Sequence, residues 1–315
     1  MIFDAPNEGK FSFSGASGML GSAIVAAIQR RGMRVLRLVR RDARDSDELR
    51  WNPAAGQIRD QLDPGQLEGI SAAVHLSGAS VASRRWTAAY KREMVQSRVG
   101  TTRVLSEALA RLKSPPRVFV TASAVGFYGD RGDEILDEDS AAGAGFFPEL
   151  CAEWEQATRP AENAGIRVVH LRFGMVIGPD GGAMARLAPI FRLGLGGRLG
   201  SGRQWMSWVS EADAVSAVLF ALGASNAGDI QLSGPVNVVA PEPVTNAAFT
   251  RDLGHALHRP AVLPAPAFAM RLAFGEMADA ALLASTRALP KRLLAAGFVF
   301  AHPTLPEALA AALVS

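Results

Sequence analysis

A single cysteine, Cys151, occurs in 315 residues, so an intrachain disulfide has no partner, and neither a cysteine zinc site nor an iron–sulfur cluster has its ligands. Tyrosine is almost as scarce, with Tyr90 and Tyr128 alone. No stretch reaches the roughly 18 apolar residues that a membrane span needs. The first ten residues carry Asp4, Pro6, Asn7 and Glu8 where a secretory signal would need an unbroken apolar run. Nor is there a block of like charge: 33 Lys and Arg against 30 Asp and Glu leave a net charge of +3 spread along the chain, which argues against nucleic acid. His255 and His258 lie three apart, but without an acidic or third histidine partner, and His170 and His302 stand alone, so no metal is expected. These absences describe a cytoplasmic protein whose expected partner is a small molecule, with neither membrane nor nucleic acid. A homodimer is allowed rather than implied.

What is present is globular: 49% hydrophobic and 20% charged residues. From residue 10, short apolar runs of β character alternate with longer segments of helical period, the pattern of parallel βαβ units. The runs Phe11 to Ser14, Arg34 to Val39, Ala72 to Leu76, Arg117 to Thr121 and Ile166 to Leu171 read as strands. Met19 to Arg31, Trp86 to Leu112 and Phe147 to Asn163 read as helices, with Gly32 and Gly165 placed as left-handed caps. Beyond the turn cluster Gly178-Pro179-Asp180-Gly181-Gly182, a glycine-rich loop from Gly194 to Gly202, a helix from Glu211 to Leu222, a strand near Val236 to Val239 and a helix-rich tail from Pro243 follow. The fold class expected is α/β, a Rossmann-type doubly wound parallel sheet with a smaller, helix-rich C-terminal substrate lobe. Its divisions would be a leader at 1–9, a cofactor domain at 10–180 and a lobe at 181–315 that can return strands or helices to the first domain.

Gly15-Ala16-Ser17-Gly18-Met19-Leu20-Gly21 falls directly after a strand and at the mouth of a helix, the context that makes a glycine pattern a nucleotide-binding hypothesis. The first glycine allows the tight turn, the second lets a pyrophosphate approach the backbone, and the third lets helix pack on strand, while N–H groups and the helix dipole face the negative charge. A glycine turn without a ligand is the competing reading. At the end of the second strand, where an NAD site places an acid for the ribose hydroxyls, stand Val39-Arg40-Arg41. Two guanidiniums there suit a 2′-phosphate, so the cofactor expected is NADP(H). The third strand ends in His75-Leu76-Ser77-Gly78, whose small residues would admit the adenosine side, while His75 itself reads as a satisfied core histidine.

These pieces, with Thr121-Ala122-Ser123-Ala124-Val125-Gly126-Phe127-Tyr128-Gly129 and Leu171-Arg172-Phe173-Gly174-Met175-Val176-Ile177-Gly178-Pro179, resemble the extended short-chain dehydrogenase/reductase family. Arg84-Arg85-Trp86, Ser97-Arg98, Phe191-Arg192-Leu193-Gly194-Leu195-Gly196-Gly197, Trp208-Val209, Phe274-Gly275-Glu276-Met277 and Leu289-Pro290-Lys291-Arg292-Leu293 narrow it to the atypical branch of epimerase family proteins, which resemble nucleoside-diphosphate-sugar epimerases. The resemblance implies cofactor contacts from Gly15, Ser17, Gly18, Met19, Leu20, Gly21, Arg40, Arg41, Leu76, Ser77, Gly78, Glu93, Arg98 and Val176. It also implies that Ser123 holds a substrate oxygen.

Active members of the wider family add a Tyr that exchanges the proton and a Lys four residues later that lowers its pKa. Here those positions fall on Phe147 and Cys151, and neither can do that work. Tyr128 is the remaining phenol near the pocket, with Arg98 or the Arg203 loop as the charge that would lower its pKa. Its alternative is an aromatic packed beneath the site. Cys151 reads as a small buried residue, Asp133, Glu134, Asp137, Glu138 and Asp139 as a solvated lid edge, and Trp205, Met206 and Trp208 as core. Two functions stay open. One is an NADP(H)-dependent oxidoreductase or epimerase acting on a small carbonyl or hydroxyl compound, favoured by Ser123 and by a Gly194–Gly202 loop able to close over a ligand. The other is a catalytically silent NADP(H)-binding regulator or partner-binding module, as the cell-division-inhibitor name of some relatives suggests, favoured by the missing pair.

Overall fold

The computed structural model describes residues 9–54, 62–179, 181–223 and 232–313. Nearly all of the expected leader and Asp180 of the turn cluster lie outside these residues.

Seven parallel strands form the central sheet: β1 (Lys10–Ser14), β2 (Arg34–Val39), β3 (Glu48–Arg50), β4 (Ala72–His75), β5 (Val118–Ala124), β6 (Arg167–Phe173) and β7 (Gly234–Val238). Their spatial order is β7-β6-β5-β4-β1-β2-β3. Phe11, Ser12, Phe13 and Ser14 are all buried, so both faces of β1 are covered, as a sheet sandwiched between helices requires. One face carries α1 (Met19–Gln29), the helix Glu211–Ala221 and the segment around Leu293 and Phe298; the other carries the helix Thr101–Ala110 with Trp51, Leu62 and Leu67. In α1 the buried positions Gly21, Ile24, Val25 and Ile28 recur at three- and four-residue spacing, and the chain leaves the helix through Gly32 at φ +77°. The order reverses between β1 and β4, so a crevice opens outside their carboxyl ends, where ligands of such sheets bind.

Several elements differ from expectation for identifiable reasons. β3 is only Glu48-Leu49-Arg50, too short and too charged to stand out. The long helix begins after Thr87, whose hydroxyl caps it, and its Ala88–Val95 and Thr101–Ala110 stretches are joined by a π-type turn, Gln96–Gly100. The helix expected to reach Asn163 splits into Phe146–Gln156 and Arg159–Asn163, because Pro160 lacks the N–H that would continue it. Beyond residue 180, the helix Glu211–Ala221 and β7 return to the central sheet, with β7 pairing alongside β6.

The remaining C-terminal segments gather around Met184, Phe191, Trp208, Phe249, Leu253, Leu305 and Leu309. The acidic loop is no solvated lid edge, which corrects the reading from spacing. Lys291 holds Asp137 at 2.8 Å and Asp139 at 3.3 Å, and Arg292 holds Asp139 at 2.9 Å. Glu138 is buried and accepts from the backbone N–H of Asn237 and of Arg292. Ile135–Leu136 pairs with Arg287–Ala288. The loop is thus a strap between the sheet and the C-terminal segment. The glycine-rich loop is likewise fixed rather than free: Leu199 N–H donates to Asn246, Leu263 N–H to Gly196 and Ala265 N–H to Arg198. Among the described residues no helix is long and apolar enough to cross a membrane, and no group of histidine, cysteine or acidic side chains could hold a metal ion.

Candidate cofactor-binding site

The three glycines after β1 differ in what each permits. Gly15 has φ +85°, and a Cβ there would stand 2.8 Å from the carbonyl carbon of Leu76 at the end of β4. A Cβ on Gly21 would collide with the Gly15 carbonyl, so this position sets how tightly α1 starts against the turn. Gly18 is the N-cap of α1 with an ordinary φ of −76°, and its Cβ would meet only the Gly15 oxygen at 3.5 Å. Its bareness leaves room toward the crevice rather than inside the fold. No side chain caps α1 and no acid stands in its first turn, so the positive helix end is unspent. Ser17 and Gly18 are exposed, while Met19 and Leu20 are half-buried. Met19 also packs under Gly181 and Gly182, and Gly182 lies against the Val176 carbonyl, which brings the Val176 strand to the cradle.

The two arginines after β2 are not equivalent. Arg41 is clamped by the buried Glu48 carboxylate through two 2.6 Å hydrogen bonds, and these, with the Arg44 N–H, hold the Glu48 carboxyl down at about 2. Arg40 is exposed and has no partner among the described residues. Arg40 is therefore the guanidinium that can turn toward a ligand, with Arg41 beside it already neutralised.

At the end of β4, His75 is fully buried between Ser14 and Thr101, edge-on to Trp51, and burial pushes it down to about 3. It is a neutral core histidine, as expected. Beyond it Leu76 and Ser77 are half-buried and Gly78 is exposed. Arg98 rises from the π-type turn to meet them: its Nη2 donates to Ala79 O at 2.8 Å, its guanidinium lies 5.2 Å from the centre of the Trp154 ring, and a Cβ on Gly78 would touch it at 3.2 Å. The residue is 8% exposed, burial lowers its pKa, and its Nη1 is buried without a partner. A buried charged donor left unpaired is costly unless a ligand supplies an acceptor. Glu93 is not part of this arrangement; it is exposed and pairs with Arg84 at 3.6 Å.

Ser123 and Tyr128 belong to one buried network. Ser123 donates to Glu155 Oε1 at 2.7 Å, and Arg172 grips both Glu155 oxygens at 2.7 and 2.8 Å. Arg172 also donates to the Tyr128 hydroxyl at 3.0 Å and lies 3.5 Å from the centre of the Phe127 ring. Tyr128 in turn donates to Asn237 Oδ1 at 2.7 Å. The cation beside Tyr128 is thus Arg172, which corrects the assignment to Arg98 or the Arg203 loop, and burial raises the phenol's pKa rather than lowering it. Phe147 is edge-on to Trp86 and covers Gly126, while the buried Cys151 thiol is pushed up to about 12 by burial and by Glu155. Reading the sequence missed Arg172, Glu155, Asn237 and Glu48. Arg172 alone carried a local signal, a charge near the carboxyl end of a mostly apolar strand.

Residues 13–238 match the NAD dependent epimerase/dehydratase family. The chain belongs to this family. Residues 265–312 match a second unit, described as a domain of unknown function, DUF1731. Among relatives of this epimerase/dehydratase chain, an epimerase family protein of Mycobacterium bovis is 47% identical over 298 residues, covering 95% of each chain. The human epimerase family protein SDR39U1 is 34% identical over 300 residues, covering 94% of this chain and 96% of its own. A crystal structure of human SDR39U1 (isoform 2) with NADPH superposes with a TM-score of 0.84 at 32% identity, covering 96% of this chain and 98% of that one. The Rossmann-type sheet, its NAD(P)-binding class and the terminal domain of the atypical branch thus stand as the sequence motifs implied.

Proposed function

We propose that the protein binds NADP(H) in the crevice outside β1, β2 and β4, and that it presents the nicotinamide to a small carbonyl or hydroxyl compound beside the C-terminal lobe. The observation that carries this reading is the buried Arg98 guanidinium, which has an unspent donor beside an uncapped helix start that only glycine leaves open. The backbone of Ser17, Gly18, Met19 and Leu20 would receive the pyrophosphate. Arg40 would take the 2′-phosphate, with Arg41 holding the loop, and Leu76, Ser77 and Gly78 would line the adenosine side. Arg98 would meet a cofactor oxygen and Val176 the nicotinamide end. When bound, the cofactor supplies or accepts the hydride. Human SDR39U1, solved with NADPH, supports the choice of NADP(H).

The chain's own groups define what remains for the substrate. Ser123 has its proton on Glu155, so toward a substrate it can accept a hydrogen bond but not donate one in this arrangement. Tyr128 is spent on Asn237 and Arg172. Epimerase chemistry through a Tyr-Lys pair therefore has no groups to run on, because Phe147 and Cys151 stand at those positions. The same occupancy favours a second reading, cofactor binding without turnover. NADPH oxidation followed at high protein concentration against aldehydes, ketones and quinones separates the two. Turnover of any class supports the first reading, and tight binding without turnover across the panel supports the second. An Arg98→Met protein that binds NADPH as well as the parent would contradict the site itself.

A further inference from the structure

Two segments of the C-terminal half carry an unusual combination of side chains. Residues 181–210 contain Arg186, Arg192, Arg198 and Arg203 but no acid, and residues 253–275 contain Arg259 and Arg271, again with no acid. The same segments hold seven of the ten large apolar side chains most exposed among the described residues: Ile190, Leu193, Leu195, Val262, Leu263, Phe268 and Leu272. The segments lie side by side. Arg259 Nε donates to Arg192 O at 3.0 Å, Leu263 N–H to Gly196 O at 3.1 Å and Gly200 N–H to Ala265 O at 2.8 Å. The two segments are therefore neighbours at the surface, and the second leads directly into the helix Ala267–Phe274, in which no residue is buried.

We propose that this face docks on an anionic phospholipid surface. The helix Ala267–Phe274 presents Phe268 and Leu272, four apart and therefore on one side, at 72% and 76% exposure. Leu193 and Val262 protrude to a similar degree, 75% and 74%. Separate protruding side chains of this kind insert into the boundary between headgroups and acyl chains, and arginines around them meet the lipid phosphates. Arg192, Arg198, Arg203 and Arg259 are exposed and no acidic side chain among the described residues pairs with them; Arg271 is the exception, held by Asp279 at 3.0 Å. That charge pattern decides between occupants. A second copy meeting this face through the same face would press unpaired guanidiniums together, whereas an anionic bilayer complements both the charge and the apolar projections. That no helix among the described residues is long and apolar enough to cross a membrane bears on crossing a bilayer and not on resting against one. The face lies in the lobe where the substrate reading places its ligand, so such docking would let the protein draw an apolar substrate from the lipid phase.

The test is co-sedimentation of the full chain with phosphatidylcholine vesicles, with and without phosphatidylglycerol, at low and high salt. The protein is expected to sediment with the phosphatidylglycerol vesicles, weakly with phosphatidylcholine alone, and less at high salt. Phe268→Ser with Leu272→Ser, and separately Arg192→Glu with Arg198→Glu, should each lower partitioning by roughly tenfold or more while leaving the melting temperature and NADPH binding as in the parent. Sedimentation no greater than in the lipid-free control would overturn the proposal, as would either double variant behaving like the parent. A concentration-dependent dimer in sedimentation velocity, dissolved by the two serines, would also overturn it by making a second copy the occupant.

Discussion

Replacing Glu155 tests whether the Ser123 network is chiefly architecture. The Arg172 and Glu155 side chains are only 4% and 12% exposed, and the pair is joined by two short hydrogen bonds. Glu155→Ala leaves the Arg172 guanidinium buried without its counter-charge, against the Phe127 ring and the Tyr128 hydroxyl. Breaking one side of such a pair costs about 3–5 kcal/mol. For a chain of 315 residues that corresponds to a fall in melting temperature of roughly 4–8 °C. Removing both charges should hurt less than removing one, because no unpaired charge then remains, and apolar replacements of similar volume fill the space. The double variant Glu155→Leu, Arg172→Met is therefore expected to be more stable than Glu155→Ala. It should retain NADPH affinity, since neither side chain touches the glycine cradle in this reading. Urea unfolding followed by the fluorescence of the five tryptophans measures all three proteins. A double variant no more stable than Glu155→Ala would refute the reasoning, because it would mean that the uncompensated Arg172 charge is not what the single substitution costs.

Gly18→Val should melt as the parent does but lose NADPH, since the added side chain points at open crevice, whereas Gly21→Ala should lose about 1–3 kcal/mol of stability by pressing on the Gly15 carbonyl; paired melting and binding curves distinguish them, and the reverse pattern would contradict the assigned roles. Burial raises the Glu138 carboxyl, so the folded state holds that proton more tightly than the unfolded state does. Its contribution therefore grows less favourable as pH rises above the unfolded value near 4.3, roughly the ordinary glutamate figure. Glu138→Gln should gain on the parent between pH 4 and 7.5, and a melting-temperature difference that does not change with pH would show that burial does not perturb this carboxyl.

The central sheet was legible because its strands are compact apolar runs between glycine turns, and the cradle because its glycines sit where strand meets helix. Arg40 and Arg41 looked alike in sequence. What separates them is Glu48, whose strand is too short to predict and whose carboxylate reaches back seven residues to clamp one of the two. The burial of Arg98 depends on a π-type turn, which helical periodicity does not announce. The hydroxyl network joins Ser123, Tyr128, Glu155, Arg172 and Asn237 from four separate stretches, and the acidic strap finds its lysine and arginine about 150 residues further on. Such partners are fixed by tertiary packing. No local pattern encodes them, and so the loop read as solvated and the phenol as available.

Titration of NADPH and NADH into the parent protein and into Arg40→Ala, followed by nicotinamide fluorescence, tests the cofactor claim most directly. The parent should bind NADPH at least tenfold more tightly than NADH, since a charge-assisted contact to the extra phosphate is worth about 1.5–3 kcal/mol. Arg40→Ala should bring NADPH down toward NADH and leave NADH unchanged. Equal affinity of the parent for the two cofactors, or no binding of either, would contradict the account.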